Sequence, residues 1–268
     1  MKPHAITRPG KAAMRTLDFV KRNYHWFLAA LAGILVLVWY MPAVYLSAMD
    51  SDNIQIPMLF HDVVELGHPA RDWIWGGHSD IFPDIALVFL LEFILRNRLL
   101  SLQIASGIFL AAYVGVLTLL YKRNGGRNAG TFAAAALLFF VLLLRNFGLR
   151  GGGREFISIS TFVVPMHTSI SILSLACFAL FQRAALEGGV RSLAGLAALC
   201  FITTLSNDLF LIIFTAPVIA TLIVARFFYP GRIRRAACLA ASITGACAAG
   251  HFLAKRLSPF QIDAGAYT

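Results

Sequence analysis

The chain has 268 residues, of which 59% are hydrophobic and only 13% charged, with a mean hydropathy of +0.74. Water-soluble domains carry about a quarter charged residues, so the composition excludes an ordinary soluble protein and points to an integral membrane protein. The formal net charge of +10 would suggest nucleic acid in a soluble chain; here basic loop residues that set orientation and touch anionic headgroups account for it, and no nucleic-acid partner is expected.

The apolar residues come in blocks near the ~20 needed for a helix to cross the hydrocarbon core. No ten-residue alternation is present, which excludes a transmembrane β-barrel. The expected fold class is all-α: a polytopic transmembrane bundle of seven or eight segments with one extracytoplasmic juxtamembrane loop. Cys177, Cys200, Cys238 and Cys247 lie inside apolar segments without metal or redox spacing, and read as small core residues.

Residues 1–25 are polar and basic, with Lys2, Arg8, Lys11, Arg15, Lys21 and Arg22, and are expected in the cytoplasm. The apolar run after them is too long for a signal-peptide core and reads as a retained first helix, Phe27 to Ser47, anchored at the interface by Tyr24, His25 and Trp26. A polar island, 48–84, follows. A short apolar segment, Ile85 to Leu95, comes next, then longer ones at Leu99–Tyr121, Ala129–Leu144, His167–Phe181, Leu193–Leu205, Leu209–Phe228 and Ala236–Ala254. The transmembrane domain spans 26–256, and 257–268 form a short tail.

The basic residues choose between two topologies. If all eight segments cross, Lys and Arg divide 13 inside and 10 outside; if 85–95 does not cross, they divide 15 and 8. Positive-inside bias and the shortness of 85–95 against the ~17 residues usually required favour the second. That version gathers the island, the loop Arg145–Glu155, Pro165 with His167, and Ser206-Asn207-Asp208 on one extracytoplasmic face.

The island holds seven of the chain's 13 acidic residues, Asp50, Asp52, Asp62, Glu65, Asp72, Asp80 and Asp84, together with His61, His68 and His78. Residues 53–65 have the apolar spacing of an amphipathic helix lying on the membrane after Pro57. Asp52, held at that surface, could serve as a general base towards a hydroxyl; it could equally be a helix cap. Trp73 and Trp75 suit interfacial anchors or platforms for sugar rings.

This layout resembles the C-type polytopic membrane glycosyltransferases, over roughly residues 25–228. In that family an acidic motif directly after the first span opens a long extracytoplasmic loop with juxtamembrane helices. Asp52-Asn53 occupies that place, with Asp50 as the neighbouring alternative, and Phe82-Pro83-Asp84 leads into the next apolar stretch as in similar bacterial membrane proteins. The resemblance implies a short or truncated member, a polyprenyl-phosphate-linked sugar as donor, and Asp52 or Asp50 as the catalytic carboxylate.

The loop containing Arg145, Arg150, Gly152 and Arg154 suits a phosphate, since consecutive glycines let backbone N–H groups converge and arginines add bidentate charge. A cytoplasmic loop obeying positive-inside bias reads equally well. His167 follows a proline at the mouth of a span, where an imidazole is costly unless used or hydrogen-bonded, Thr168 or Ser169 being the available partners. Ser206-Asn207-Asp208 reads as a tight turn, with Asp208 a supporting residue beside the acceptor. Glu92 and Arg96 are spaced for an ion pair on one helix face; His61 and Glu65 could share a helix face as metal ligands, but two such ligands do not make a site.

His61, Asp62, His68, His78, Asp80 and Asp84 offer ligand types for a divalent cation, but no established zinc spacing or HExxH is present. The leading expectation is therefore a membrane glycosyltransferase-like protein of a bacterial inner membrane. Asp52 would act as base, the 145–154 loop would grip the donor phosphate, and Trp73, Trp75, His78, His167 and Asp208 would surround the acceptor. The alternatives are a transporter or flippase-like protein and a non-catalytic membrane subunit.

Overall fold

A computed structural model describes individual residues between 19 and 34, then residues 51–76, 80–150, 165–228, 233–259 and 261–263, with backbone alone at 51–54, 75–76, 140–150, 165–168, 233 and 261–263. Asp50, His78, Gly152 and Arg154 lie outside the described residues.

The fold is helical. Helix α1 (Ser51–Phe60) continues into a wide π-helical turn at His61–Glu65, followed by a single 3-10 turn at Ala70–Asp72 and a short strand β1 (Ile74–Gly76). A second wide turn, Ile81–Ile85, opens α2 (Ala86–Leu95). Helices α3 (Arg98–Arg123), α4 (Ala129–Arg150), α5 (Pro165–Leu186) and α6 (Val190–Ser206) come next. A third wide turn, Leu211–Thr215, opens α7 (Ala216–Phe228); α8 (Ile233–Leu257) and strand β2 (Gln261–Asp263) complete the described chain.

Among the described residues, four stretches are long and apolar enough to cross a membrane: Arg98–Arg123, Ser169–Leu186, Leu211–Phe228 and Arg234–Leu257. Val190–Ser206 is a shorter apolar helix. The chain is a helical membrane protein.

Contacts at the helix ends give the bundle its directions. Arg123, closing α3, donates to the Ala179 carbonyl at 2.8 Å, and Gln182 donates to Asn124 at 3.3 Å, so α3 and α5 finish together. Arg235, opening α8, donates to the Ala184 carbonyl at 3.1 Å. Helices α5 and α6 are joined by a tight link in which Gly188 takes a φ of +73°, a conformation open to glycine without steric cost. The opposite end of α8 returns to the end of α6 through His251 and Asp208. Tyr24 accepts from the Gly130 N–H at 2.8 Å, which sets the N-terminal helical residues beside the start of α4. One end of the bundle therefore collects Lys122, Arg123, Arg127, Arg183, Arg191, Arg234 and Arg235, and the other collects the end of the island, the start of α5 and the α6–α7 turn.

Among the described residues, two buried clusters fill the interior. Ile56 and Leu59 of α1, Val88 of α2, Leu102, Leu110 and Val114 of α3, and Ile172 of α5 form the first. Ile170 and Cys177 of α5, Leu196 and Cys200 of α6, Phe210, Phe214 and Val218 around the start of α7, and Ile243 and Cys247 of α8 form the second. Helix α5 belongs to both. Lipid tails are as apolar as leucine, so van der Waals fit between helices matters more here than removal from water. The hydroxyls of Ser101, Ser106, Thr118 and Thr203 donate to carbonyls four residues earlier, and so enter the interior without foreign partners.

The structure departs from the sequence expectations at two places. Pro57 sits inside α1 instead of before the helix, and is buried with Ile56 and Leu59 while Met58 is exposed. A proline there lacks the N–H for one helical bond, which the packing of its neighbours offsets. Glu92 and Arg96 do not pair: Arg96 turns left-handed at φ +49° to end α2, and Glu92 is buried with Oε1 lacking a partner. Within residues 257–268, β2 pairs in parallel with β1, matching Ile74 to Gln261 and Gly76 to Asp263. His61 and Glu65 do share one face and are hydrogen-bonded, and Arg98 adds a 3.0 Å contact to the same carboxylate.

Two predictions follow from this packing. A Cβ at Gly250 would meet the Phe201 carbonyl oxygen of α6 at 2.7 Å, whereas one at Gly245 would meet nothing within 4 Å. Alanine gains about 1 kcal/mol of helix propensity over glycine, so Gly245→Ala should raise or preserve the unfolding temperature in detergent. Gly250→Ala should lower it, overpacking against backbone costing about 1–3 kcal/mol. Separately, the His61 hydrogen bond, with Arg98 adding to it, holds Glu65 below the usual glutamate range. A depressed folded pKa gives stability present above the unfolded value and lost as pH falls through the folded one. Amide protection at 61–66, taken relative to the intrinsic exchange rate, should therefore fall below about pH 4, and Glu65→Gln should show the lowered protection already at neutral pH.

Candidate functional site

The most unusual polar site in the described interior is where the island re-enters the bundle. The chain turns at Asp80, which is 1% exposed and has a left-handed φ of +44°. That conformation costs a non-glycine residue about 1–2 kcal/mol, aspartate being one of the few that visit it. Three hydrogen bonds to the end of α6 fix the turn: Asp80 N–H donates to the Ser206 carbonyl at 2.9 Å, the Asn207 amide donates to Asp80 Oδ1 at 2.9 Å, and Phe82 N–H donates to Ser206 Oγ at 2.6 Å. The Phe82–Pro83 peptide is cis.

Asp84 follows at the foot of α2. It is 2% exposed, and Ser169, in the second turn of α5, donates to its Oδ2 at 2.6 Å. Its other oxygen, Oδ1, is buried without a hydrogen-bond partner. Burial pushes the Asp84 carboxyl well above the usual carboxylate range; the Ser169 hydrogen bond opposes the shift and the Asp80 charge adds to it. A buried acceptor without a partner costs about 1–3 kcal/mol, more when charged.

The same turn carries a second, more open constellation. Asn207 Oδ1 accepts from the Leu209 N–H at 2.9 Å, which shapes the turn into α7. Asp208, next in the chain, contacts His251 Nδ1 at 2.9 Å, with both side chains about 40% exposed. A carboxylate on one ring nitrogen fixes the imidazole and leaves the other nitrogen for proton transfer, the arrangement general acid–base chemistry uses.

The sequence-derived residues fall as follows. Asp52 is the second residue of α1, which packs against α2 at this end of the bundle. Trp73 is half-buried against the first core cluster, and Trp75 lies in β1 opposite Ile262. Arg145 and Arg150 are in the last turns of α4, and His167 is in the first turn of α5. Asp208 meets His251, and Ser169, weighed only as a neighbour for His167, bonds Asp84. Of the six metal-ligand candidates, Asp80 and Asp84 enter the bundle while His61 turns to Glu65. No group of three His, Cys, Asp or Glu side chains assembles among the described residues.

His251 was not singled out in the sequence, although an imidazole near the end of an otherwise apolar helix is costly in lipid and marks a site worth weighing. Ser206 and Asn207 read only as turn formers; their role depends on a contact about 125 residues away in the chain, at Asp80 and Phe82. Comparison with protein-family models, with curated proteins and with solved structures finds no match to this chain.

Removing the Asn207 amide unpins both Asp80 and the α7 turn. Asn207→Ala should lower stability by about 1–3 kcal/mol, read as a lower unfolding temperature in detergent, whereas the more exposed Asp208→Asn should change it by less than about 1 kcal/mol.

Proposed function

We propose that this chain is a glycosyltransferase-like membrane protein that moves a sugar from a polyprenyl-phosphate donor to a cell-envelope acceptor. The observation that carries the reading is the asymmetry of the bundle: α1 with Asp52, the Asp80–Asp84 re-entry and the Asp208–His251 pair share one end, and the arginine-rich turns share the other. Positive-inside bias would put the arginine-rich end and the N-terminus in the cytoplasm, and the acidic end outside an inner (plasma) membrane. Segment 85–95 would then return to its own side without crossing, leaving seven spans.

In this reading the acceptor hydroxyl attacks the anomeric carbon, its proton passes to Asp52, and polyprenyl phosphate leaves with the bonding electrons. Arg145, Arg150, Gly152 and Arg154 would hold the leaving phosphate. Asp50, Trp73, Trp75, His78 and His167 would border the sugar and acceptor, with Asp208 orienting His251 beside them. A second reading, a cation-coupled transporter, is favoured by one observation: Asp84 is a buried carboxylate at a break in helical structure, a setting that transporters use for coupling ions.

The two are separated in proteoliposomes supplied with a polyprenyl-phosphate sugar and a soluble acceptor. Loss of a general base lowers turnover about 10²–10⁴-fold, so Asp52→Asn should fall by that factor while the protein remains folded. Transfer that is undiminished in Asp52→Asn, or absent from the wild type across donors, would turn the assignment to the transporter.

A further inference from the structure

A cavity of about 580 Å³ opens where the α5–α6 link meets the start of α8. Arg234 and Arg235 line it, with Leu186, Val190, Leu193 and Leu239 supplying an apolar wall. Among the described residues no carboxylate faces it. The one acid in the link, Glu187, is held by Arg183 at 2.8 Å and by Arg123 at 3.7 Å. The cavity therefore carries two positive charges that its own lining does not answer.

Arg235 is already fixed in place. It donates to the Ala184 carbonyl at 3.1 Å, and a Cβ at Gly188 would stand only 2.1 Å from its Nη2, so the glycine leaves room for the guanidinium. That carbonyl uses one of five N–H donors, and a side chain held beforehand loses little freedom when the others engage a ligand. Arg234 is exposed and, among the described residues, forms no ion pair. Both arginines sit in the first turn of α8, which has no acidic residue. The start of a helix is itself partly positive, so cations there are unfavourable until an anion joins them.

Charge and wall together select the ligand. Guanidinium groups bind phosphate through paired N–H donors. A free phosphate makes no use of the leucines, whereas a phospholipid brings a phosphate and an acyl chain at once. The cavity also lies at the ends of two membrane-length stretches, Ser169–Leu186 and Arg234–Leu257, the level at which headgroups sit, and basic pockets between membrane helices hold anionic headgroups. A choline headgroup would bring its own cation to the two arginines. We propose that this cavity binds an anionic phospholipid, its phosphate on Arg234 and Arg235 and its acyl chain along Leu193 and Leu239. The assignment rests on neither functional reading above. It differs from the general attraction of basic loops to a membrane in being saturable and in depending on two named side chains.

The protein carries its own reporter. Cys238 lines the cavity and is the exposed one of the four cysteines, the other three being buried, so its alkylation by N-ethylmaleimide reads occupancy in the full chain. In detergent micelles, added phosphatidylglycerol should slow the labelling saturably, and phosphatidylcholine should leave it unchanged. Arg234→Gln and Arg235→Gln should each move the midpoint about five- to tenfold to higher lipid. Lys122→Gln, at the same end of the bundle but outside the cavity, should leave the midpoint in place. If Arg235→Gln does not fold without its Ala184 contact, Arg234→Gln decides alone. Labelling indifferent to phosphatidylglycerol would overturn the site. So would protection that persists unchanged in Arg234→Gln, the result that a negative micelle surface acting on the thiol would give. Equal protection by inorganic phosphate would overturn the lipid and leave a site for a soluble anion.

Discussion

The contact on which the molecule most depends is the docking of the Asp80–Asp84 segment onto the end of α6. Its partners are remote in sequence: Ser206 and Asn207 lie about 125 residues from Phe82 and Asp80, and Ser169 lies 85 residues from Asp84. These bonds join α1–α2, which begin the first core cluster, to α5 and α6, which carry the second. A left-handed aspartate and a partly satisfied buried carboxylate are expensive features. They persist because three helices, α2, α5 and α6, each contribute one wall, and none can move without exposing the others' polar groups to an apolar interior.

The opposite end is built on different chemistry. Arg123 from α3 and Arg235 from α8 each place a guanidinium on a carbonyl near the end of α5, at Ala179 and Ala184. A helix leaves its last four carbonyls unpaired and carries a partial negative charge there, so Arg235 on Ala184 satisfies an acceptor and the dipole together, while Arg123 adds a donor to Ala179 one turn further in. Glu187 then bridges Arg123 and Arg183 on the surface. One end of the protein is therefore cationic while the other is acidic, with Asp80 and Asp84 buried and Asp208 and His251 partly exposed. That polarity, more than any single residue, supports a reading with chemistry at the acidic end.

Between the ends, close approach does the holding. Gly250 lets α8 lie on the α6 backbone at Phe201 and Leu205, and the hydroxyls of Ser106, Thr118 and Thr203 spend their hydrogen bonds within their own helices. In lipid this is the expected economy: association is driven by fit and by polar groups that arrive already satisfied. Asp84 Oδ1 and Glu92 Oε1 stand out against that background as carboxylate oxygens left without partners.

Much of the architecture was legible in the residues. Helical membrane character followed from blocks of apolar sequence longer than any strand, and the tight turn at Ser206-Asn207-Asp208 followed from its composition. The short apolar segment expected at 85–95 is present as the ten-residue helix α2, about 15 Å long. That His61 and Glu65 share one helix face was readable because they are four residues apart; their hydrogen bond to each other was not read from the sequence. The failed Glu92–Arg96 pair had the same spacing, but Arg96 leaves the helix in a left-handed turn that spacing cannot foresee. Tertiary structure alone decided that Asp80 and Asp84 leave the loop for the interior, that Ser169 and Asn207 wait there for them, and that His251 meets Asp208. The physical reason is that a single sequence states which groups are costly to bury, while the partner that offsets the cost sits wherever helix packing brings it, at a separation no periodicity encodes.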